Sequence, residues 1–300
     1  MKSGYVTILG LPNAGKSTLM NALLGQKLSI ITSKPQTTRK RILGILSSED
    51  YQVIFLDTPG IINPGYLLQE KMMEAVAHSI TDADIIILIV DISADPQGEN
   101  TLNNIFVEQK LTEIKKPLLL ILNKVDLSEQ EKVKELITKY ESLKKFKKVI
   151  PVSALMNFNI EDVLNTIVET LPEGPKYYPD DIVADENERF FVSEIVREKI
   201  FELYKEEIPY STEVIVTDFK EREANKNYIL AEIIVEKDSQ KGILIGKQGT
   251  AIKKLGLDAR KAIEEFLQCE VYLELRVKVK KHWRSDEKQL KSFGYIKSKD

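Results

Sequence analysis

The sequence predicts an α/β domain with a mostly parallel sheet, followed by a smaller α+β domain. Three observations predict it. Short, continuous apolar runs alternate with amphipathic helical patterns over about the first 170 residues, the pattern of a sheet covered by helices. A glycine-rich loop stands between the first run and the first helical pattern. A proline and glycine cluster at 171–179 then leads into a segment with a different element order.

The apolar runs at 6–9, 53–56, 85–90, 118–122 and 149–152 read as buried strands, because parallel strands covered on both faces lose the polar alternation of half-exposed ones. Residues 43–47 are expected to pair beside 53–56 as an antiparallel edge hairpin. Helices are expected at 18–24, 69–79, 129–143 and 160–171. Pro172, Gly174, Pro175 and Pro179 end the last of these and read as a connector. The expected division is therefore 1–173, a linker at 174–185, and 186–300. The second domain reads as helix 186–204, strands 213–220 and 228–235, two helices of which the second spans 251–266, strand 271–279 and a short terminal helix.

Charge is unevenly spread. The net charge is −3, yet residues 241–300 hold 15 Lys and Arg against 8 Asp and Glu, leaving 28 against 38 elsewhere. A basic end on an acidic body is the asymmetry of a chain that meets a polyanion at one end. The longest wholly apolar run, 85–90, is strand-sized and far short of the ~20 residues of a membrane-spanning helix. Residues 1–4 pass straight into the first strand, so no signal peptide is expected. The single cysteine, Cys269, has no partner for an internal disulfide, which fits a reducing compartment.

Gly10-Leu11-Pro12-Asn13-Ala14-Gly15-Lys16-Ser17-Thr18 has the spacing GxxxxGK[ST] between a strand and a helix. Successive backbone N–H groups and the helix N-terminus then face an anion. Lys16 is expected to reach the β- and γ-phosphates of a nucleoside triphosphate, and the Ser17 hydroxyl to ligate Mg2+. Asp57-Thr58-Pro59-Gly60 ends the third strand. Asp57 is expected to hold the Mg2+ shell, and the Gly60 N–H to approach the γ-phosphate without side-chain obstruction. The loop beyond, 61–68, is expected to rearrange when that phosphate leaves.

Asn123-Lys124-Val125-Asp126 follows the run 118–122. The Asp126 carboxylate accepts from both the ring N–H and the exocyclic amine of guanine; adenine leaves it unpaired, a mismatch worth about 10⁴ in selectivity. Lys124 lays its stem along the base plane, Asn123 braces neighbouring loops, and the backbone of Ser153-Ala154-Leu155 donates to the guanine carbonyl. Between the first helix and the second strand, Gln36-Thr37-Thr38-Arg39 supplies a threonine for Mg2+. Spacing leaves Thr37 and Thr38 open, with Thr38 favoured.

Ile61 follows Gly60, where many GTPases carry a glutamine that orients water. His78 and His282 are the only histidines, and neither falls in a motif of the site. Catalysis is thus expected to rest on Lys16, Thr38, Gly60 and Asn13, the last by helping hold a potassium ion between the β- and γ-phosphates. The other reading of Asn13 is a residue that only shapes the loop.

In the second domain, Gly246-Lys247-Gln248-Gly249 lies between an apolar segment and a helix. With the order αββααβ this is the pattern of a type II KH domain. The loop glycines press on a nucleic-acid backbone and Lys247 meets phosphate. Ile243, Ile245 and Ile252 are expected along the groove floor, with Gln248 and Lys253 beside it. Strand alternation puts Lys278 and Lys280 on one face of the strand at 271–279. Trp283 is expected to anchor the terminal helix; the other reading is a base-stacking residue.

These motifs, with Gln36-Thr37-Thr38-Arg39, Ile61 and Val-Lys-Val-Lys-Lys-His-Trp-Arg at 277–284, resemble the Era family of bacterial GTPases over essentially the whole chain. The hydrophobic residue at Ile61 is similar to that family's pattern. The resemblance implies a P-loop GTPase domain of mostly parallel sheet followed by a type II KH domain. It implies hydrolysis of GTP to GDP with Mg2+, binding of the 3′ end of 16S rRNA, and a role in maturation of the 30S ribosomal subunit. It further implies a cytoplasmic protein with peripheral contact at the inner membrane, and nothing calls for more than a monomer. Two other readings stay open at this point. One is a non-catalytic RNA-binding assembly factor with a structural GTP site; the other is a GTPase acting on a protein or membrane partner.

Overall fold

In the computed structural model, which describes residues 1–113, 115–222 and 226–296, the chain divides into two units. The first comprises Met1–Asn63 and Met72–Asp185, the second Pro64–Lys71 and Glu186–Asp300.

The first unit is built on strands β1 (Lys2–Leu9), β2 (Ile42–Ser47), β3 (Tyr51–Asp57), β4 (Ile85–Asp91), β5 (Leu118–Asn123) and β6 (Lys148–Val152). They lie in the order β2-β3-β1-β4-β5-β6. Only β2 runs antiparallel to its neighbour, the hairpin expected of 43–47 and 53–56. Ile85 to Val90 each have 0% exposure, so both faces of β4 are covered and the run needs no polar alternation. Helices Lys16–Leu24, Gln130–Ser142 and Ile160–Thr170 fall where the 3.6-residue pattern predicts them. Helices Glu99–Leu102 and Ile105–Glu113 lie in a stretch without a sequence expectation. There Asn104 breaks the pattern and its side chain accepts from the Phe106 and Val107 N–H groups, which starts a second short helix.

Residues 174–185, expected as a linker, run along the edge of this sheet. Gln52, wholly buried, accepts from the Tyr177 and Tyr178 N–H groups at 2.7 and 3.0 Å and donates to the Tyr178 carbonyl at 2.8 Å. The Ile45 N–H of edge strand β2 donates to the Val183 carbonyl at 2.9 Å. A buried amide requires partners and an open strand edge requires a cover; this strap supplies both. Tyr177 packs edge-on against Tyr5, whose hydroxyl is pushed up to about 12 by burial and the hydrogen bond to Tyr178.

The second unit carries β7 (Glu213–Lys220), β8 (Asn227–Val235) and β9 (Val271–Val279) in that spatial order. β7 and β8 are antiparallel, β8 and β9 parallel. Helices Glu188–Leu203, Asp238–Ile245 and Thr250–Leu267 pack Val192, Val196, Ile200, Leu244, Leu255 and Ile263 into the core against Ile229, Ala231 and Ile233. This is the αββααβ order of the KH fold. Trp283 is wholly buried, its indole N–H donating to the Ser211 carbonyl at 2.9 Å. It therefore anchors the C-terminal segment and has no face for a base. No described helix is long and apolar enough to cross a membrane.

Candidate nucleotide site and nucleic-acid groove

Asp57, Asp91 and Asn123 close β3, β4 and β5, so polar side chains gather at one end of the parallel sheet, where ligands of such folds bind. A cavity of about 600 Å³ opens there, lined by Pro12, Asn13, Gly15, Lys16, Ser17 and Thr18 of the glycine-rich loop. Gly15 has φ +99°, and a Cβ there would stand 2.2 Å from the Asn123 side-chain nitrogen; only glycine fits. Lys16 is buried, and its ammonium donates to the Gly10 and Leu11 carbonyls at 3.3 and 3.0 Å. Burial lowers its pKa to about 8, against the opposing pull of Asp57.

The Ser17 hydroxyl donates to Asp57 Oδ2 at 2.7 Å and lies 2.9 Å from the Thr38 hydroxyl. Thr38 Oγ1 stands 3.4 Å from the same carboxylate oxygen. Thr37 turns away, its hydroxyl donating to the Lys34 carbonyl at 2.8 Å. Of the two threonines left open by spacing, Thr38 is the one beside Ser17 and Asp57. Asp57 is wholly buried and, among the described residues, its Oδ1 has no hydrogen-bond partner. Burial pushes the carboxyl up, opposed by the Ser17 hydrogen bond and the Lys16 charge. The Ser17 and Thr38 hydroxyls meet at Asp57 Oδ2 while Oδ1 of the same carboxylate is unpartnered, a set of hard oxygens that fits Mg2+.

Gly60 lines the cavity, and a Cβ there would lie 2.8 Å from Pro12 Cα. Thr58 donates its hydroxyl to the Ile8 carbonyl at 2.7 Å. Ile61 is 2% exposed, turned into the core rather than toward water. Asn13, at φ +63°, donates its side-chain N–H to the Ser33 carbonyl at 2.9 Å. That bond ties the glycine-rich loop to the segment before Thr38 and commits the amide nitrogen, leaving Oδ1 as the acceptor. His78 is exposed on helix Leu67–Asp82.

The same cavity is lined by Asn123, Lys124, Asp126, Ser153 and Leu155. Asn123 donates to the Ala14 carbonyl at 2.8 Å and accepts from the Ala154 N–H at 3.0 Å. The Lys124 ammonium meets Asp91 Oδ2 at 2.5 Å, while Asp91 Oδ1 accepts from the Ser93 N–H and hydroxyl. Burial works to raise the Asp91 carboxyl, but Lys124 and Ser93 outweigh it and hold the carboxyl below the usual range. Asp91 is a site residue that motif reading missed, as are Ser93, Ala94 and Leu127, which line the cavity with it. Its signal is a carboxylate closing an apolar strand, and register makes it the partner of Asn123. Among the expected nucleotide residues, Gly10, Leu11, Ala14, Asp57, Thr58, Pro59, Val125 and Ala154 do not line the cavity. Gly10, Leu11, Ala14, Asp57 and Ala154 act through the hydrogen bonds just given.

In the second unit, helix Asp238–Ile245 ends at Gly246, with φ +72°. A Cβ there would strike the Ala251 Cβ at 2.6 Å, whereas one on Gly249 meets nothing within 4 Å. The loop is therefore closed inward and open outward, with Lys247 and Gln248 exposed. A groove of about 390 Å³ runs beside helix Thr250–Leu267, lined by Ile252, Lys253, Leu257 and Arg260 on the helix and by Tyr272, Leu273 and Leu275 on β9. Of the expected RNA contacts Lys253 lines it, whereas Ile243, Ile245, Gly246, Lys247, Gln248, Gly249, Lys278 and Lys280 do not. Lys278 pairs with Glu232 at 2.5 Å, and Lys280 donates to Gln289 at 2.9 Å. Leu257, Arg260 and Tyr272 were missed because the groove joins a helix to a strand edge that no motif marks.

The family model described as a 50S ribosome-binding GTPase matches residues 5–124, and the KH domain model matches residues 207–284. GTPase Era of Clostridium botulinum (strain Okra / Type B1) is 44% identical over 298 residues, 99% of each chain. The chloroplastic GTPase ERA1 of Zea mays is 48% identical over 295 residues, covering 98% of this chain and 70% of that protein. Among solved structures, a variant of Aquifex aeolicus Era bound to GDP and AlF4− is 39% identical with a TM-score of 0.91, covering 98% of this chain and 99% of that one. Era in complex with MgGDPNP and nucleotides 1506–1542 of 16S ribosomal RNA matches with the same identity, score and coverage.

Proposed function

We propose that this chain, which belongs to the Era family of GTPases, is a GTP-driven switch that binds the 3′ end of 16S rRNA and assists maturation of the 30S subunit. The observation that carries the reading is the cluster of Ser17, Thr38 and Asp57 beside the buried Lys16. Its three oxygens would hold Mg2+, and the Lys16 ammonium would meet the β- and γ-phosphates.

Lys16 exchanges the Gly10 and Leu11 carbonyls for phosphate oxygens and neutralises charge as the terminal bond breaks. Mg2+ supplies further charge neutralisation on those oxygens when bound. Thr38 and the Gly60 N–H read the γ-phosphate, since Gly60 leaves no room for a side chain against Pro12. Asp126 recognises guanine, with Lys124 along the base and the Leu155 backbone at the carbonyl, since the Ser153 and Ala154 N–H groups donate to the Phe158 carbonyl and to Asn123. Ile61 is buried and orients no water. Asn13, whose amide nitrogen donates to the Ser33 carbonyl, would use Oδ1 to help hold a potassium ion, which would supply charge stabilisation between the β- and γ-phosphates.

Single-stranded RNA enters the groove of the second unit, with Gly246 and Gly249 against its backbone and Lys247 on phosphate. The named relatives support this reading, as does the basic balance of residues 241–300. The same reading makes the chain a cytoplasmic monomer with peripheral contact at the inner membrane, a location that cell fractionation tests. The experiment for the switch is equilibrium binding of a 16S 3′-end RNA with either GDPNP or GDP bound. Tighter RNA binding with GDPNP is expected; equal binding in both states contradicts the switch.

A further inference from the structure

Tyr228 of β8 and Tyr272 of β9 are register partners across the parallel pair. Their rings lie stacked, with centroids 6.0 Å apart and planes 16° from parallel. Leu273, Leu275, Val277 and Val279 of β9 pack against the core, so the alternation of the strand places Tyr272 on the opposite, outer face. Tyr272 is 59% exposed, a large apolar ring left facing water.

The platform is held in place. The Tyr228 hydroxyl donates to Glu274 at 2.7 Å, and the Lys220 ammonium and Arg222 guanidinium lie 5.7 and 5.8 Å from its ring centre. Tyr272 also forms part of the groove wall beside Leu273. It thus belongs to two surfaces at once, the groove and the outer face of the sheet. Charges on that face are largely matched, Lys220 with Asp218, Arg276 with Glu274 and Lys278 with Glu232. A paired surface of this kind offers little net attraction to phosphate but leaves an aromatic face bare, which suits a base rather than a backbone.

We propose that Tyr272, backed by Tyr228, is a stacking platform for an unpaired nucleobase of the RNA strand next to the groove. The RNA site then continues past edge strand β9 onto the outer face of the sheet. This rests on the RNA-binding reading above. Stacking tolerates any base, so the platform adds affinity and register rather than sequence preference.

The test uses the full chain and single-stranded RNA of the 16S 3′ end, with 2-aminopurine placed at successive positions. One position is quenched on binding to the native protein. In Tyr272→Ala that quenching disappears and Kd rises roughly 5- to 140-fold, while Tyr272→Phe retains both. Tyr272 is exposed, so thermal melting of the Ala variant stays unchanged. Native affinity and quenching in Tyr272→Ala, with binding abolished in Gly249→Asp, overturn the platform and leave the groove reading standing. Native binding in both variants overturns the groove reading and the platform together.

Discussion

The side-chain nitrogen of Asn123 donates to the carbonyl of Ala14 at 2.8 Å. The guanine motif and the phosphate loop are therefore fixed to one another before any nucleotide arrives. The same side chain takes the Ala154 N–H, so one buried amide joins three segments of the site.

Replacing Asn123 by Ala leaves the Ala14 carbonyl and the Ala154 N–H without partners. A buried group so orphaned costs about 1–3 kcal/mol. Nucleotide-free Asn123→Ala is expected to melt several degrees lower, and GDP affinity measured by calorimetry to fall by one to two orders of magnitude. Native values for both contradict the bracing role.

Asp91 is expected to position Lys124. Asp91→Asn removes the negative charge opposite the ammonium at 2.5 Å while keeping the shape of the side chain. A hydrogen bond to a charged group contributes about 1.5–3 kcal/mol, so GDP affinity is expected to fall about 10- to 100-fold. Unchanged affinity of the Asn variant contradicts the role.

Nucleotide binding is expected to be linked to proton uptake through Lys16. Its ammonium titrates at about 8 in the buried, nucleotide-free site, and phosphate oxygens raise that value. Below pH 8 the lysine is charged in both states and affinity is flat. Above pH 8 binding takes up a proton and affinity falls up to about tenfold per pH unit. For folding the sign is opposite. The folded pKa lies below the unfolded value, so burial of the charge costs stability below pH 8, and the cost is relieved as pH rises from 8 toward 10.5. Calorimetry at pH 8.5 in two buffers of different ionisation enthalpy measures the uptake; none contradicts the assignment.

The two loop glycines are expected to differ. Gly246→Ala meets both a positive φ and Ala251 at 2.6 Å, while Gly249→Ala meets only a positive φ of +76°. The αL penalty alone is about 1–2 kcal/mol, so Gly249→Ala is expected to lower stability by that amount and Gly246→Ala by more. Equal melting temperatures for the two variants contradict the contrast.

The legible parts of the site were polar residues that end apolar runs. Asp57 and Asn123 do so inside motifs; Asp91 does so without one, and its role required the register that sets it beside Asn123. Thr37 and Thr38 are adjacent and chemically alike, so only the fold shows which hydroxyl faces Asp57. The strap at 174–185 was hidden for a similar reason. Prolines and glycine give the same composition whether a segment swings free or lies on an edge strand, and its partner Gln52 is distant in sequence. Alternation in β9 placed Lys278 on the outer face, but Glu232 had already claimed it.

The coupling of hydrolysis to RNA is read in one assay, GTP hydrolysis by the full chain in potassium or sodium buffer and with or without a 16S 3′-end RNA. Turnover is expected to be stimulated by RNA and to be faster in potassium than in sodium. Turnover indifferent to RNA would contradict the coupled switch.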